Sequence, residues 1–147
     1  MNDQNFYQRI NINNPDFIFC ITVLEHILNP YLFLYNLVKI LGDGKVLYLT
    51  TPDFGSITAK LLKGYWPYLI FGEHLNIPSK KGIKILIQKL LNDSSTENKK
   101  LLFVEPTILP YPFGYYLQFL SISSTLFSGS RITLNFPTGI LKACLYN

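Results

Sequence analysis

The sequence predicts an α/β fold with a parallel sheet, and three observations lead to this prediction. Residues 17–24 form a continuous apolar run after the turn signal Asn-Pro-Asp, as expected of a strand buried on both faces. Apolar side chains then recur at helical spacing between residues 33 and 41. A second short apolar strand follows at residues 45–51. A strand, a helix and a strand joined by brief loops form the crossover unit of open α/β sheets.

The helix of this unit has recognisable ends. Asn29 is a suitable N-cap, and Pro30 fits the first helical turn, where a missing N–H leaves no bond unmade. The Gly-Asp-Gly run at residues 42–44 predicts where the helix stops.

Four more elements complete the predicted domain. Residues 57–62 predict a short helix, and a longer helix follows Ser79. Its apolar side chains share one face: Ile83, Leu86, Ile87, Leu90 and Leu91. Residues 92–100 predict a solvated loop. Residues 101–109 and 139–146 predict two strands, and the last has polar tips suited to a sheet edge.

Size and composition limit the chain to one domain and argue against one class of partner. The 147 residues provide one core, and the polar residues 1–14 promise little order, so we expect the domain to span residues 15–147. The net charge is +4, but the lysines are scattered and form no basic stripe, which argues against a nucleic-acid partner. Cys20 and Cys144 lie in apolar runs, as expected of buried reduced thiols. No secretion signal is visible, so we expect a cytoplasmic protein.

Three segments resemble the class I S-adenosylmethionine (SAM) dependent methyltransferases. The run D-F-I-F-C, followed by V-L-E-H-I-L-N-P, is similar to the fourth strand of that family and to the loop and helix after it. The run L-G-D-G-K-V-L-Y-L-T-T-P-D resembles the fifth strand. The runs W-P-Y and E-H-L-N-I-P-S resemble the segment on the substrate side. In this order the resemblance covers residues 16–146.

The resemblance implies a partial Rossmann-like methyltransferase sheet with flanking helices. The family has seven strands, with the last antiparallel beside the fifth, and this chain would supply strands four to seven. SAM is the implied cofactor. The glycine-rich turn that cradles SAM in the family has no counterpart among the glycines here. We therefore expect a truncated C-terminal half that binds SAM weakly and has little activity alone.

Such a half would leave residues 17–24 as a bare strand edge. In the complete fold of the family this strand is central and paired on both sides. An apolar strand with free backbone groups is an aggregation hazard. We expect a polypeptide that supplies the N-terminal half, or a second copy of the chain, to pair with this edge.

The two histidines are the main candidates for chemistry. Each follows a glutamate, and Glu25 and His26 come just past the carboxyl end of a predicted parallel strand, where ligand sites open. In the branch of ubiquinone and small-RNA O-methyltransferases, a Glu-x-x-Glu-His run and a later histidine, here His74, bind a divalent metal near the acceptor hydroxyl. Thr22 replaces the first carboxylate of that run. We therefore assign no metal ligands and keep a divalent metal as the less favoured alternative.

Other roles stay open for these residues. Glu25 and His26 would either cap the next helix or bind backbone amides, or serve as general base or substrate contact without metal. His74 would equally well stabilise its loop. Ile21 and Thr22 match positions that flank SAM in the family, and sheet core is the alternative for both.

Aromatic residues and an uncharged stretch indicate where an acceptor would bind. Tyr65, Trp66 and Tyr68 either line an acceptor pocket or belong to the core. Residues 106–130 carry no charge and match a lid over the acceptor in the family. Their prolines and short apolar runs exclude a spanning helix, but an amphipathic lid that contacts a membrane surface is an alternative.

Three functions follow from these observations. The favoured one is SAM-dependent methyl transfer, mainly to a hydroxyl of a small-molecule, sugar or lipid-linked acceptor. The second is a non-catalytic methyltransferase-like fragment or interaction subunit. The third is a lipid-surface binding protein built around residues 111–127.

Overall fold

The computed structural model describes residues 15–41, 44–93, 100–112 and 133–146, of which residues 108–112 and 133–138 are described by their backbone alone. In chain order the elements are β1 (Phe17–Ile21), a short 3-10 helix (Leu24–His26), α1 (Pro30–Ile40), β2 (Val46–Pro52), α2 (Ile57–Leu62), a second 3-10 helix (Lys63–Tyr65), α3 (Lys80–Leu91), β3 (Lys100–Pro112) and β4 (Thr133–Tyr146). The predicted α/β class is confirmed. No helix in these ranges is both long and apolar enough to cross a bilayer. The predictions for residues 1–14, 94–99 and 113–130 lie outside the described residues.

The four strands form one sheet in the order β1-β2-β4-β3. β1 and β2 are parallel, with Phe17 opposite Val46 and Ile21 opposite Thr50. β4 runs antiparallel between β2 and β3. This topology agrees with the resemblance, in which the last strand inserts beside the second strand of this chain.

The prediction that residues 139–146 form a sheet edge is wrong. β4 is an inner strand, because it pairs with β2 on one side and with β3 on the other, and apolar side chains occupy both of its faces. Leu141, Ala143 and Leu145 are buried in the main core, and Cys144 is buried on the opposite face. The polar side chains at the ends of this strand do not predict whether its middle residues are buried.

The main core lies between the sheet and the two longer helices. α1 contributes Leu34, Leu37 and Val38, and α3 contributes Ile83, Ile87 and Leu90. Both helices are capped: Leu32 donates its N–H to the predicted cap Asn29 at Oδ1, at 3.0 Å, and Gly82 donates its N–H to Ser79 Oγ at 3.2 Å. The apolar helical spacing was therefore a correct guide to the buried faces.

β1 departs from its prediction in length and in burial. The strand ends at Ile21, and Leu24 belongs to the 3-10 helix that follows. Cys20 faces the core, but Phe17, Phe19 and Ile21 are exposed, so β1 is not buried on both faces. The physical reason is its position, because β1 is an edge strand and the described helices leave its outer face open.

Candidate active site at the carboxyl end of β1

A sharp turn at the end of β1 places the site residues above the sheet. Thr22 has a φ of 49°, in the left-handed region that β-branched residues rarely adopt. Its N–H donates to the Thr50 carbonyl at 3.1 Å, and its Oγ1 donates to the Ile21 carbonyl at 2.8 Å. Backbone strain of this kind clusters at functional sites. The turn directs the chain into the 3-10 helix that carries Glu25 and His26.

Glu25 is a buried carboxylate that is fixed at both its side chain and its backbone. Its side chain is 1% exposed, and Thr51 donates its hydroxyl to Glu25 Oε2 at 3.2 Å. Its carbonyl accepts the N–H groups of Leu75 at 2.7 Å and Asn76 at 3.0 Å. Glu25 does not cap α1, because Asn29 does. Of the alternatives above, helix capping is therefore excluded, and the bond to backbone amides is made by its carbonyl.

Backbone carbonyls orient both imidazole rings in the same way. His26 Nδ1 lies 2.9 Å from the Glu73 carbonyl, and His74 Nδ1 lies 2.6 Å from the Tyr68 carbonyl. A carbonyl oxygen only accepts hydrogen bonds, so Nδ1 is the protonated nitrogen in each ring. In the neutral rings Nε2 therefore carries a lone pair, which is the state that binds a proton or a metal ion.

The three side chains meet at one point. One nitrogen of each imidazole and a carboxylate oxygen of Glu25 all lie within 4.8 Å of one another. The rings of His26 and His74 contact edge to face, with centroids 4.8 Å apart. Donors that bind one ion at about 2.1 Å lie at most about 4.2 Å apart, so small side-chain rotations would complete a common centre.

The donor set suits an open metal site. Two imidazoles and one carboxylate are a recurrent ligand set of catalytic zinc and iron sites, which leave positions free for water or substrate. The Thr22 hydroxyl is directed at the Ile21 carbonyl and adds no donor. The residues present therefore fit a divalent ion with three protein ligands.

The nearest thiol is inert at neutral pH. Burial raises the pKa of the Cys20 thiol to about 12, and the negative charge of Glu25 adds to this shift. Burial also raises the pKa of Cys144. Both cysteines are free and buried, as predicted. Because the thiolate is the nucleophile, Cys20 takes no part in the chemistry of the site.

The predicted aromatic pocket does not form as one surface. Trp66 is buried and contacts Tyr68 edge to face, with ring centroids 5.5 Å apart, whereas Tyr65 is 73% exposed. Tyr68 contributes its carbonyl to the site through His74.

Ile21 and Thr22 are exposed at the end of β1. A pocket of about 150 Å³ lies beside the site instead. It is lined by Leu24, Pro30, Asn76, Ile77, Pro78 and Leu86.

Two residues of the site, Thr51 and Asn76, were not predicted from the sequence. Thr51 holds the Glu25 carboxylate, and Asn76 donates its side-chain N–H to the Ile27 carbonyl, which fixes the turn after His26. The signal for Thr51 was weak, because it lies inside a strand and polar strand ends are common. Asn76 stands two residues after His74, and that closeness was the available signal.

A comparison with known protein families decides what kind of protein this is. The family described as "Methyltransferase domain" matches residues 3–90, which is more than half of the chain. The chain belongs to the class I SAM-dependent methyltransferases. No curated protein matches the sequence of this methyltransferase.

Solved structures of other methyltransferases share its fold. The small RNA methyltransferase HEN1 is 12% identical, with a TM-score of 0.56 over 92% of this chain and 14% of its own. A possible histamine N-methyltransferase from Thermotoga maritima is 14% identical, with a TM-score of 0.56 over 95% of this chain and 60% of its own. The plantazolicin methyltransferase BpumL is 12% identical, with a TM-score of 0.54 over 92% of this chain and 53% of its own. This methyltransferase thus spans less than two thirds of each of these chains.

Proposed function

We propose that this methyltransferase moves the methyl group of SAM to a hydroxyl of a small-molecule, sugar or lipid-linked acceptor. Glu25, His26 and His74 form the centre that activates the hydroxyl. One observation carries the proposal: two imidazoles and a buried carboxylate converge within 4.8 Å at the carboxyl end of a parallel strand. In open α/β sheets this is the end at which ligands bind.

The residues themselves provide a base of the required kind. An Nε2 lone pair of His26 or His74 accepts the hydroxyl proton as the oxygen forms a bond to the methyl carbon. The bond between that carbon and the sulfur of SAM breaks at the same time, and S-adenosylhomocysteine leaves with the electron pair. The Nδ1 bonds to the Glu73 and Tyr68 carbonyls hold each ring in the tautomer that this step needs. The adjacent Glu25 carboxylate stabilises the positive charge that the ring acquires.

The geometry also supports a divalent metal, which the sequence alone favoured less. Glu25, His26 and His74 would hold it. A bound ion of this kind lowers the pKa of the acceptor hydroxyl and orients it for attack. Two nitrogen donors favour zinc, manganese or iron over magnesium and calcium. Thr22 removes one carboxylate, but three protein ligands suffice for an open catalytic site.

The methyl donor needs a binding element besides the described residues. We infer that Ile21 and Thr22 flank SAM and that a segment paired with β1 supplies the glycine-rich cradle. The edge of β1, with which no second strand of the described residues pairs, and the exposed side chains Phe17 and Phe19 support this inference. They equally suit a second candidate function, that of a non-catalytic subunit which completes the sheet of another polypeptide.

A thermal unfolding experiment tests the metal centre. We expect zinc or manganese at 100 times its Kd to raise the Tm of the wild type by about 5 °C or more. The variants Glu25→Gln, His26→Ala and His74→Ala lose most of this shift. Glu73→Gln is the matched control, because Glu73 contacts the site through its carbonyl only. An unchanged shift in both histidine variants would refute the metal centre.

A transfer assay tests the chemistry. Radiolabelled SAM is incubated with catechol, sugar and lipid-linked hydroxyl acceptors, with and without EDTA. Transfer that is lost in EDTA and in His26→Ala indicates a metal-assisted reaction. Transfer that survives EDTA but is lost in His26→Ala indicates a histidine base without metal. Because we expect the chain alone to bind SAM weakly, absence of transfer would favour the non-catalytic subunit only at SAM concentrations at which calorimetry detects binding.

A further inference from the structure

The short helix α2 exposes its apolar face to the outside of the domain. Ile57 is 60% exposed and Leu61, one turn later, is 68% exposed. The residues between them that face inward, Thr58 and Ala59, are small and buried. A surface helix normally does the opposite and buries its large apolar side chains. The burial of α2 is therefore inverted.

The segments that flank α2 in the sequence also expose large apolar side chains. Six large apolar side chains within residues 54–71 are exposed, and we call them the outer patch: Phe54, Ile57, Leu61, Tyr65, Ile70 and Phe71. Phe71 is 87% exposed. Single exposed apolar side chains are ordinary, but such a concentration in 18 consecutive residues marks an interaction site.

The charges within the outer patch are positive. Lys60 and Lys63 are exposed among its apolar residues, and the one exposed acidic residue next to the patch in the sequence is Glu73, two residues after Phe71. Asp53 precedes the patch, but it is buried and accepts the N–H groups of Gly55 at 2.9 Å and Lys80 at 3.1 Å. Its negative charge is thus directed inward.

Two further lysines lie next to the outer patch. The bonds from Asp53 to Gly55 and Lys80 hold the start of α3 against the turn before α2. Lys80 and Lys81 are both exposed there. The outer patch therefore combines protruding apolar side chains with a border of cations.

We propose that the outer patch binds the surface of an anionic phospholipid bilayer. Protruding aliphatic and aromatic side chains that alternate with lysines are typical of segments that lie in the interface of a membrane. The six residues of α2 rise only about 9 Å, so the helix lies along the interface and does not enter the hydrocarbon deeply. The lysines bind the phosphate groups of the lipids.

A protein partner fits the outer patch less well. A helix-binding groove is concave, whereas these side chains protrude from a helix and its flanking loops. A second copy of the chain would bring like charges together at Lys60 and Lys63, which opposes association. The proposal does not rest on the reaction proposed above, and it concerns residues 54–71 and not the residues 111–127 of the sequence-based alternative.

Flotation of the full chain with vesicles tests the proposal. We expect the protein to float with vesicles of phosphatidylcholine and phosphatidylglycerol at low salt, and to stay at the bottom with phosphatidylcholine alone. The bound fraction should fall as salt is added, because the lysine contribution is electrostatic. Absence from the anionic vesicles would overturn the proposal.

Paired variants locate the surface. Ile57→Glu with Leu61→Glu should lower the partition coefficient at least about tenfold. Lys60→Gln with Lys63→Gln should lower it about fivefold for each lysine. The matched controls are Leu102→Glu, at an exposed leucine of β3, and Lys39→Gln with Lys100→Gln. Equal effects of the test and control variants would overturn the assignment of the surface.

The single tryptophan gives a second readout. The Trp66 ring contacts Phe54 of the outer patch, with centroids 6.3 Å apart. Vesicles with brominated acyl chains should therefore quench Trp66 fluorescence in the wild type and in Leu102→Glu, but not in Ile57→Glu with Leu61→Glu. A concentration-dependent dimer that these two substitutions abolish, without any binding to vesicles, would show a protein interface and overturn the proposal.

Discussion

Gly139 is the described glycine at which an added Cβ would lie closest to other atoms. It has a φ of 77°, and its carbonyl accepts the Asp53 N–H at 2.6 Å. A Cβ built on it would lie 2.7 Å from Thr58 Oγ1 and 3.0 Å from Trp66 Nε1. The lack of a side chain therefore lets β4 approach α2 and Trp66 closely.

We expect Gly139→Ala to lower the free energy of unfolding by about 2–4 kcal/mol, from the left-handed backbone and the overpacking together. Gly64→Ala is the matched control, because a Cβ there meets no atom within 4 Å. That variant should change stability by less than about 0.5 kcal/mol. Urea unfolding measures both, and equal stabilities of the two variants would contradict this account of Gly139.

The Cys20 thiol makes stability depend on alkaline pH. Its pKa is raised from 9.0 to about 12 in the folded state by burial and by the charge of Glu25. Above pH 9 the unfolded chain loses this proton while the folded chain keeps it, so the stability from the protonated thiol declines as pH rises towards the folded pKa.

We expect the free energy of unfolding of the wild type, relative to that of Cys20→Ala, to fall by about 1.4 kcal/mol per pH unit above pH 9. Urea unfolding at pH 8.0 and at pH 10.5 measures this difference, and the alanine variant serves as the reference for all other groups that titrate. A difference that is the same at both pH values would show that the pKa of Cys20 is not raised.

At the scale of elements, the loop between the second 3-10 helix and α3 assembles the site. It supplies His74, the Glu73 and Tyr68 carbonyls that orient the rings, and the Leu75 N–H that binds the Glu25 carbonyl. The pairing of Glu25, His26 and His74 was inferred from the resemblance. The backbone carbonyls that fix the tautomers were not, because the direction of a carbonyl does not depend on the side chain of its residue.

Among the elements, β1 is the one at which we most expect a partner to bind, because its outer face exposes Phe17, Phe19 and Ile21. We expect the chain to associate as its concentration rises, and Phe17→Lys with Phe19→Lys to weaken this association at least about tenfold, because charged side chains block edge pairing. Analytical ultracentrifugation measures it. Leu28→Lys is the control, at an exposed leucine outside the sheet. A wild type that stays monomeric, or a control with the same effect, would contradict the prediction.

At the scale of the whole molecule, local sequence signals predicted the helices and strands better than they predicted which elements pack against one another. The cap Asn29, the start of α3 after Ser79 and the apolar spacing of α3 are local signals, and these predictions were correct. The inner position of β4 depends on which strands pair with it, which composition does not encode. The inverted burial of α2 was hidden for the same reason, since the apolar spacing of a helix does not say which side faces the core.

The two surfaces of this molecule, one for chemistry and one for lipid, share a stretch of chain. Trp66 contacts Phe54 of the outer patch, and two residues later the Tyr68 carbonyl fixes the His74 ring. Thermodynamic reciprocity then applies to any coupling through this stretch: if adsorption to a bilayer changes the affinity of the imidazoles for a ligand, that ligand changes the affinity for the bilayer by the same factor. If both proposals hold, we expect the affinity of the site for its ligand to differ between the free and the membrane-bound protein.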